Sequence, residues 1–233
     1  TTRAPGTLTA QKYYKARGTV VHHNTDIWGD SSPIDGLGGG IWAMGGAWLS
    51  THLWDHYDYT GDLDFLRHRA YPRLRDNALF LLDYLTPAPA ETPYAGYLVT
   101  GPSCSPENKF QLPNGKSFNL CMGPTMDIEI TRAVLTRLLQ SAEVLGNSGT
   151  TPADTELLNR ARTAISRLTP FKITHDHRLQ EWPEDYADHE PGHRHISHLW
   201  ALFPDDQITL RGTPTLARAC RATLDKRLAA GGG

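Results

Sequence analysis

GPTMDIEITRAVLTRLLQSAEVLG, residues 123–146, decides the class of this fold. Pro124 suits a first helical turn, where a missing N–H costs little. Ile128, Val134, Leu135, Leu138, Leu139, Ala142 and Leu145 then recur three and four apart until Gly146 ends the run. A stripe of that length is a helix with one face turned into a core.

Reading outward, the same period returns on both sides. Upstream, Trp42, Gly46, Leu49, Leu53, Trp54 and Tyr57 form a stripe within residues 40–59, and Gly45-Gly46 marks the close approach of a neighbouring backbone. Gly61-Asp62 breaks that helix and caps the next. Leu66, Ala70, Leu74, Ala78, Leu81, Leu82 and Leu85 follow, with Pro72 as a kink or a fresh start and Pro87 and Pro89 as the stop. Downstream, Thr151-Pro152 opens a helix through Leu157, Leu158, Ala161, Ile165 and Leu168. A short helix is expected over 196–203, and a last one runs from Thr213-Pro214 through Leu216, Cys220, Leu224 and Leu228.

The remaining chain reads as loop or short extended pieces: Thr19–Val21 within a long polar loop over 11–36, Tyr97–Thr100, and Phe171–Thr174 with Arg178–Trp182 flanking a turn at 175–177. The first ten residues show no element. Long helices separated by long polar loops, with no strands alternating between them, exclude a doubly wound parallel sheet. They favour an all-α assembly, a helical toroid whose loops gather at one end. No repeat of 30 to 50 residues is present, which argues against a regular solenoid.

The chain has 233 residues, 23 basic and 25 acidic, for a net charge of -2. Neither a nucleic-acid footprint nor one for an anionic membrane is visible, and no apolar window reaches membrane-spanning length. Six Trp, nine Tyr and 11 His suit an aromatic-lined polar site. Cys104, Cys121 and Cys220 lack CxxC spacing. A Cys104–Cys121 disulfide is compatible with the sequence, which leaves the compartment open. Both ends look cut, so a piece of a longer chain is expected.

Three loop segments hold most of the chemistry: HHNTDIWGD at 22–30, SPEN at 105–108, and LQEWPEDYADHEPGHRHISHLW at 179–200. In GPSCSPENKF, residues 101–110, two prolines stiffen a turn around Glu107, which is where a proton donor would be held. A Glu on a solvated turn is the plainer reading. His193, His195 and His198 lack an HExxH arrangement, so hydrogen bonding is favoured over a metal, and no cofactor is called for. No GxSxG elbow is present. Paired carboxylates are the stronger theme, because glycoside hydrolysis needs an acid beside the leaving oxygen and a second carboxylate across the ring. Glu107 can be the first; Asp26, Asp30, Asp127, Glu181 and Asp185 are unranked candidates for the second. Trp28 and Trp182 offer apolar faces to sugar C–H bonds unless they fill the core, and Asn24 and Asn108 can bind hydroxyls.

HHNTDIWGD, GGAWLSTHLWDHYDYTGD at 45–62, YLVTGPSCSPEN at 97–108, GPTMDIEI at 123–130, LQEW at 179–182 and PGHRHISHL at 191–199 together resemble glycoside hydrolase family 95, the inverting 1,2-α-L-fucosidases. The resemblance implies an (α/α)6 barrel catalytic domain, of which residues 1–233 form a single incomplete central part. It implies that Glu107 is the general acid, kept protonated near neutrality by partial burial beside aromatic side chains. His193 or His195 and the Asn24/Asp26 loop would contact fucose. The implied partners are a fucosylated oligosaccharide and the remainder of a longer enzyme, in an extracellular or periplasmic setting. The family's base-bearing DGNFG motif and its NxN asparagine pair are not found in this sequence; they are expected after and before it respectively. The alternatives are an α-L-galactosidase of the same family, a sugar-binding fragment without catalysis, and a zinc hydrolase using the His cluster.

Overall fold

The computed structural model describes residues 3–146 and 151–232. Helices dominate, as the stripes require. In chain order they are α1 (Arg3–Thr9), α2 (Leu37–Gly40), α3 (Gly45–Thr60), α4 (Leu63–Phe65), α5 (Tyr71–Tyr84), α6 (Thr125–Val144), α7 (Pro152–Arg167) and α8 (Pro214–Ala229). The strands have two residues each: β1 (Thr86–Pro87), β2 (Leu98–Val99), β3 (Ser103–Cys104), β4 (Phe110–Gln111), β5 (Ser117–Phe118), β6 (Leu120–Cys121) and β7 (Ala187–Asp188). The chain divides into two compact units, residues 1–98 with 130–168, and residues 99–129 with 169–233.

In the first unit, α3 packs on α5 and α5 on α7. Leu66, Leu74, Phe80, Leu81 and Leu158 are fully buried there. The boundaries follow local chemistry. Asp62 caps α4 by accepting the Phe65 N–H at 2.9 Å. Pro72 makes no separate start: it falls where a π-helical turn (Leu66–Ala70) passes into α5, so the ladder changes register at a residue with no N–H to offer. Thr151 caps α7 through the Asp154 N–H at 3.1 Å.

The opening residues correct the sequence reading, since α1 and a following π-helical turn (Ala10–Tyr14) occupy residues expected to be irregular. Pro5 fits the first turn, and Gly6 lets the helix lie against the segment after it. A Cβ at Gly6 would stand 2.4 Å from Thr19 Cγ2, and the Val20 N–H donates to Gly6 O at 3.2 Å. Thr19, Val20 and Val21, expected as a short extended piece, are buried and lie outside the strands. Arg17 clasps Asp83 through Nε at 2.8 Å and Nη2 at 2.7 Å, and Arg160 adds a third contact at 2.9 Å. The Arg17 hydrogen bonds, with help from Arg160, hold the Asp83 carboxyl well below its usual range.

The second unit is built around Leu179, Leu199, Ala201, Ile208, Ala217, Ala219 and Cys220, so α8 and the turns after residue 196 share one apolar cluster. Only a 3-10 turn (Ser197–Leu199) forms at the start of the stretch expected to be helical over 196–203. The pair expected around residues 175–177 is real: the Gln180 N–H donates to Lys172 O at 2.9 Å, and Ile173 bridges Leu179. β5, β4 and β7 form an antiparallel sheet, and β3 pairs with β6. In that second pair Ser103 faces Cys121 and Cys104 faces Leu120. The one-residue offset turns the two cysteines to opposite faces, and both are free thiols, which corrects the disulfide considered above.

The Gly45-Gly46 reading holds. A Cβ at Gly45 would lie 2.1 Å from His22 O, and the Gly46 N–H donates to Val21 O at 3.0 Å. Gly45→Ala is expected to destabilise the protein by about 2 kcal/mol through overpacking against backbone. Gly39→Ala, where a Cβ meets nothing within 4 Å, costs nothing. Paired urea melts of the two variants check this.

Candidate active site

Between β3 and β4 the chain makes a turn closed by the Asn108 N–H donating to Ser105 O at 2.7 Å. Its side chains part company. Ser105 and Asn108 are buried, while the Glu107 side chain is 59% exposed. Beneath the turn lies Glu181, whose Oε1 accepts from Ser105 Oγ at 2.7 Å and from Asn108 Nδ2 at very short range. Its Oε2 accepts from Arg227 Nη2 at 3.0 Å and lies 3.3 Å from His198 Nδ1. Burial pushes the Glu181 carboxyl above its ordinary value, against the Ser105 and Asn108 hydrogen bonds and the Arg227 charge, which favour the anion. His198 is buried beside Arg227, and desolvation takes it down to about 3, so it is neutral.

The segment 193–197 runs along the other side of the turn. Ser197 Oγ donates to Pro106 O at very short range, the Glu107 N–H donates to His195 Nδ1 at 3.2 Å, and Asn108 Nδ2 reaches His195 O at 3.3 Å. The His195 N–H in turn donates to His193 Nδ1 at 3.0 Å. Both imidazoles therefore accept at Nδ1, which assigns the ring proton of each neutral form to Nε2. Burial lowers His193 below the ordinary imidazole value, keeping it neutral. Arg194 Nη2 pairs with Glu107 Oε2 at 2.5 Å. This corner can donate hydrogen bonds and, once the ion pair opens, move a proton at the carboxyl.

Each expected site residue has a clear place. Glu107, Asn108, His193 and His195 come together. Glu107 is open and paired with Arg194, in contrast to the partial burial beside aromatic rings asked of it. Trp182, next to Glu181, is 3% exposed and packs on Phe110 with centroids 5.0 Å apart, so it is a wall of the core and presents no open face. Asn24, Asp26 and Trp28 belong to the first unit. There Asp26 Oδ1 accepts the Trp28 and Asp30 N–H groups at 2.9 and 3.2 Å, Asn24 Nδ2 lies 3.1 Å from His23 Nε2, and Trp28 is 81% exposed.

The candidate second carboxylates are occupied locally. Asp127 is fully buried and accepts from Thr100 Oγ1 at 2.7 Å. Asp185 Oδ2 takes the His175 N–H at 2.7 Å, Asp30 Oδ1 takes the Ser32 N–H at 3.0 Å, and both Glu181 oxygens are engaged. Among the described residues no three His, Cys, Asp or Glu side chains converge as metal ligands. Arg194 and Arg227 were missed by sequence reasoning. Arg227 had a signal: it falls on the apolar stripe of α8, seven residues after Cys220 and three after Leu224, where a charge demands a buried partner.

The sequence profile of the glycosyl hydrolase family 95 catalytic domain matches residues 1–233. The chain is 42% identical over 223 residues to "Alpha-L-fucosidase 2" of Arabidopsis thaliana, covering 95% of this chain and 25% of that protein. It is 29% identical over 226 residues to "Probable alpha-fucosidase A" of Aspergillus niger, covering 95% and 27% respectively. The chain thus spans about a quarter of the length of the curated relatives it matches.

His198 falls from 6.5 unfolded to about 3 folded, so the stability it contributes is whole above pH 6.5 and is lost as pH falls toward 3. Glu181 acts in the opposite sense: its raised value favours the folded state when protonated, and that share is lost as pH rises through the folded value. His198→Gln removes the first effect and leaves the second. The near-ultraviolet circular dichroism of the second unit should therefore survive to lower pH in the variant than in the parent, and coincident acid midpoints would refute the assignment.

Proposed function

This chain belongs to glycoside hydrolase family 95, and from that membership we propose that it supplies the proton-donating part of an inverting α-L-fucosidase acting on terminal L-fucose of oligosaccharides. Glu107 is the general acid. The observation that carries the reading is the fixing of the Glu107 backbone by His195 while its carboxyl stays open to the surface beside Arg194. A proton donor must be held in place and still be reachable, and this turn does both.

In this reading the incoming sugar parts Glu107 from Arg194, the freed carboxylate takes up a proton from solvent, and the resulting acid delivers it to the glycosidic oxygen as the C–O bond breaks and a water oxygen bonds to the anomeric carbon from the far side. The Nε2–H groups of His193 and His195 donate to sugar hydroxyls. Asn108 and Trp182 act from below, one holding the turn and the other walling it. Inversion requires a water on the far side of the ring and a base carboxylate roughly 6.5–9.5 Å from the acid. The carboxylates considered for that part are engaged by their own loops or buried, which supports a base supplied from outside residues 1–233.

In the whole protein that carries these residues, Glu107→Gln is expected to lower kcat on an unactivated fucosyl oligosaccharide by about 10²- to 10⁴-fold. The loss should be far smaller on a fucoside with an activated aryl leaving group, which needs no proton. Undiminished turnover on the oligosaccharide would remove Glu107 from the acid's role. Saturable fucose binding in calorimetry, with no hydrolysis of either substrate by the parent, would favour a binding module. Faster cleavage of the matching L-galactoside would reassign the sugar.

A further inference from the structure

The two oxygens of Glu181 are held by different parts of the second unit. Oε1 takes the hydroxyl of Ser105 and the amide of Asn108, which stand two residues before and one residue after Glu107. Oε2 takes Arg227 from α8 and faces His198 from the 3-10 turn. We propose that Glu181 is a positioning residue for the proton transfer: its buried carboxylate brackets the Glu107 turn to α8, so that the direction of the acid is set by an anion the substrate never touches. This rests on the reading of Glu107 as the acid.

Burial makes the bracket stiff. Glu181, Ser105, Asn108 and Arg227 are each less than a tenth exposed, and hydrogen bonds to a carboxylate in such surroundings are stronger than those at a wet surface. Asn108 completes the triangle by giving its second amide hydrogen to His195 O, so the imidazole that receives the Glu107 N–H is tied to the same centre. The groups facing Glu181 are Arg227 on α8, His198 on the 3-10 turn, Asp188 on β7 and Cys121 on β6. Of these, Arg227 alone is a cation that reaches it.

A plain structural pillar and a positioning bracket differ in what they change. Loss of a pillar lowers the folded fraction and scales every rate alike. Loss of the bracket misdirects one proton and slows only the reactions that need it. Glu181→Ala would strand Arg227 in the core and is expected to misfold, so the informative variants are Ser105→Ala and Asn108→Ala, made in the whole protein beside Glu107→Gln.

Each is assayed on an unactivated fucosyl oligosaccharide and on an activated aryl fucoside. Ser105→Ala is expected to lower kcat on the oligosaccharide about tenfold, with KM unchanged and less than a twofold effect on the aryl fucoside. Asn108→Ala should show the same selectivity with a larger loss. If Glu107→Gln is leaving-group selective but the two bracket variants slow both substrates in parallel, or neither, the positioning role is overturned and the acid stands. If Glu107→Gln shows no selectivity, the acid reading fails and takes this inference with it.

Discussion

A carboxylate in an apolar interior is tolerable only when donors surround it, and Glu181 organises the second unit by that requirement. Stripping water from one ion costs several kcal/mol, which is offset only if its partners are fixed at hydrogen-bonding distance. Ser105, Asn108 and Arg227 answer that demand at three points, with His198 alongside. The turn between β3 and β4, the 3-10 turn and α8 thereby acquire one common reference. The Thr125 N–H, at the head of α6, also donates to the Glu181 carbonyl at 3.0 Å, so both backbone and side chain of this residue are used.

Around that centre the polar groups are arranged in depth. Buried donors bind Glu181, half-buried imidazoles bind backbone, and Glu107 with Arg194 lies outermost. The sequence of contacts from Glu107 N–H to His195, and from His195 N–H to His193, uses up both Nδ1 atoms. Two imidazole rings are thus fixed in tautomer by main-chain donors. With Nδ1 occupied as an acceptor, each ring has Nε2 left as its outward donor.

The first unit depends on a different constraint, the closeness of backbones. Gly6 and Gly45 admit the segment after α1, because a side chain at either position would collide with Thr19, Val20 or His22. Arg17 and Arg160 then bind Asp83 from two sides, joining that segment and α7 to the end of α5. Phe80 and Tyr84 receive the ring of Tyr14 edge-on, at 5.3 and 5.4 Å, which closes the core beneath.

By itself the sequence determined the long helices, because a 3.6-residue period needs no knowledge of neighbours. It determined their stops and caps at Gly61-Asp62 and Thr151-Pro152, which depend on adjacent residues alone. The turn around Glu107 was legible from its prolines, and the suspect loops from their His, Asn and Trp content. Tertiary structure decided what period and composition cannot carry. α1 has no apolar stripe and forms against Thr19 and Val20. The two-residue strands are too short for alternation to register. Glu181 lies buried among donors from three segments, and Trp182 lies buried against a neighbouring ring. Those surroundings were set by partners 73 and 76 residues away along the chain for Glu181, and by the ring of Phe110 for Trp182. Burial and hydrogen-bond satisfaction are properties of contacts, and contacts between distant residues exist only once the chain has folded.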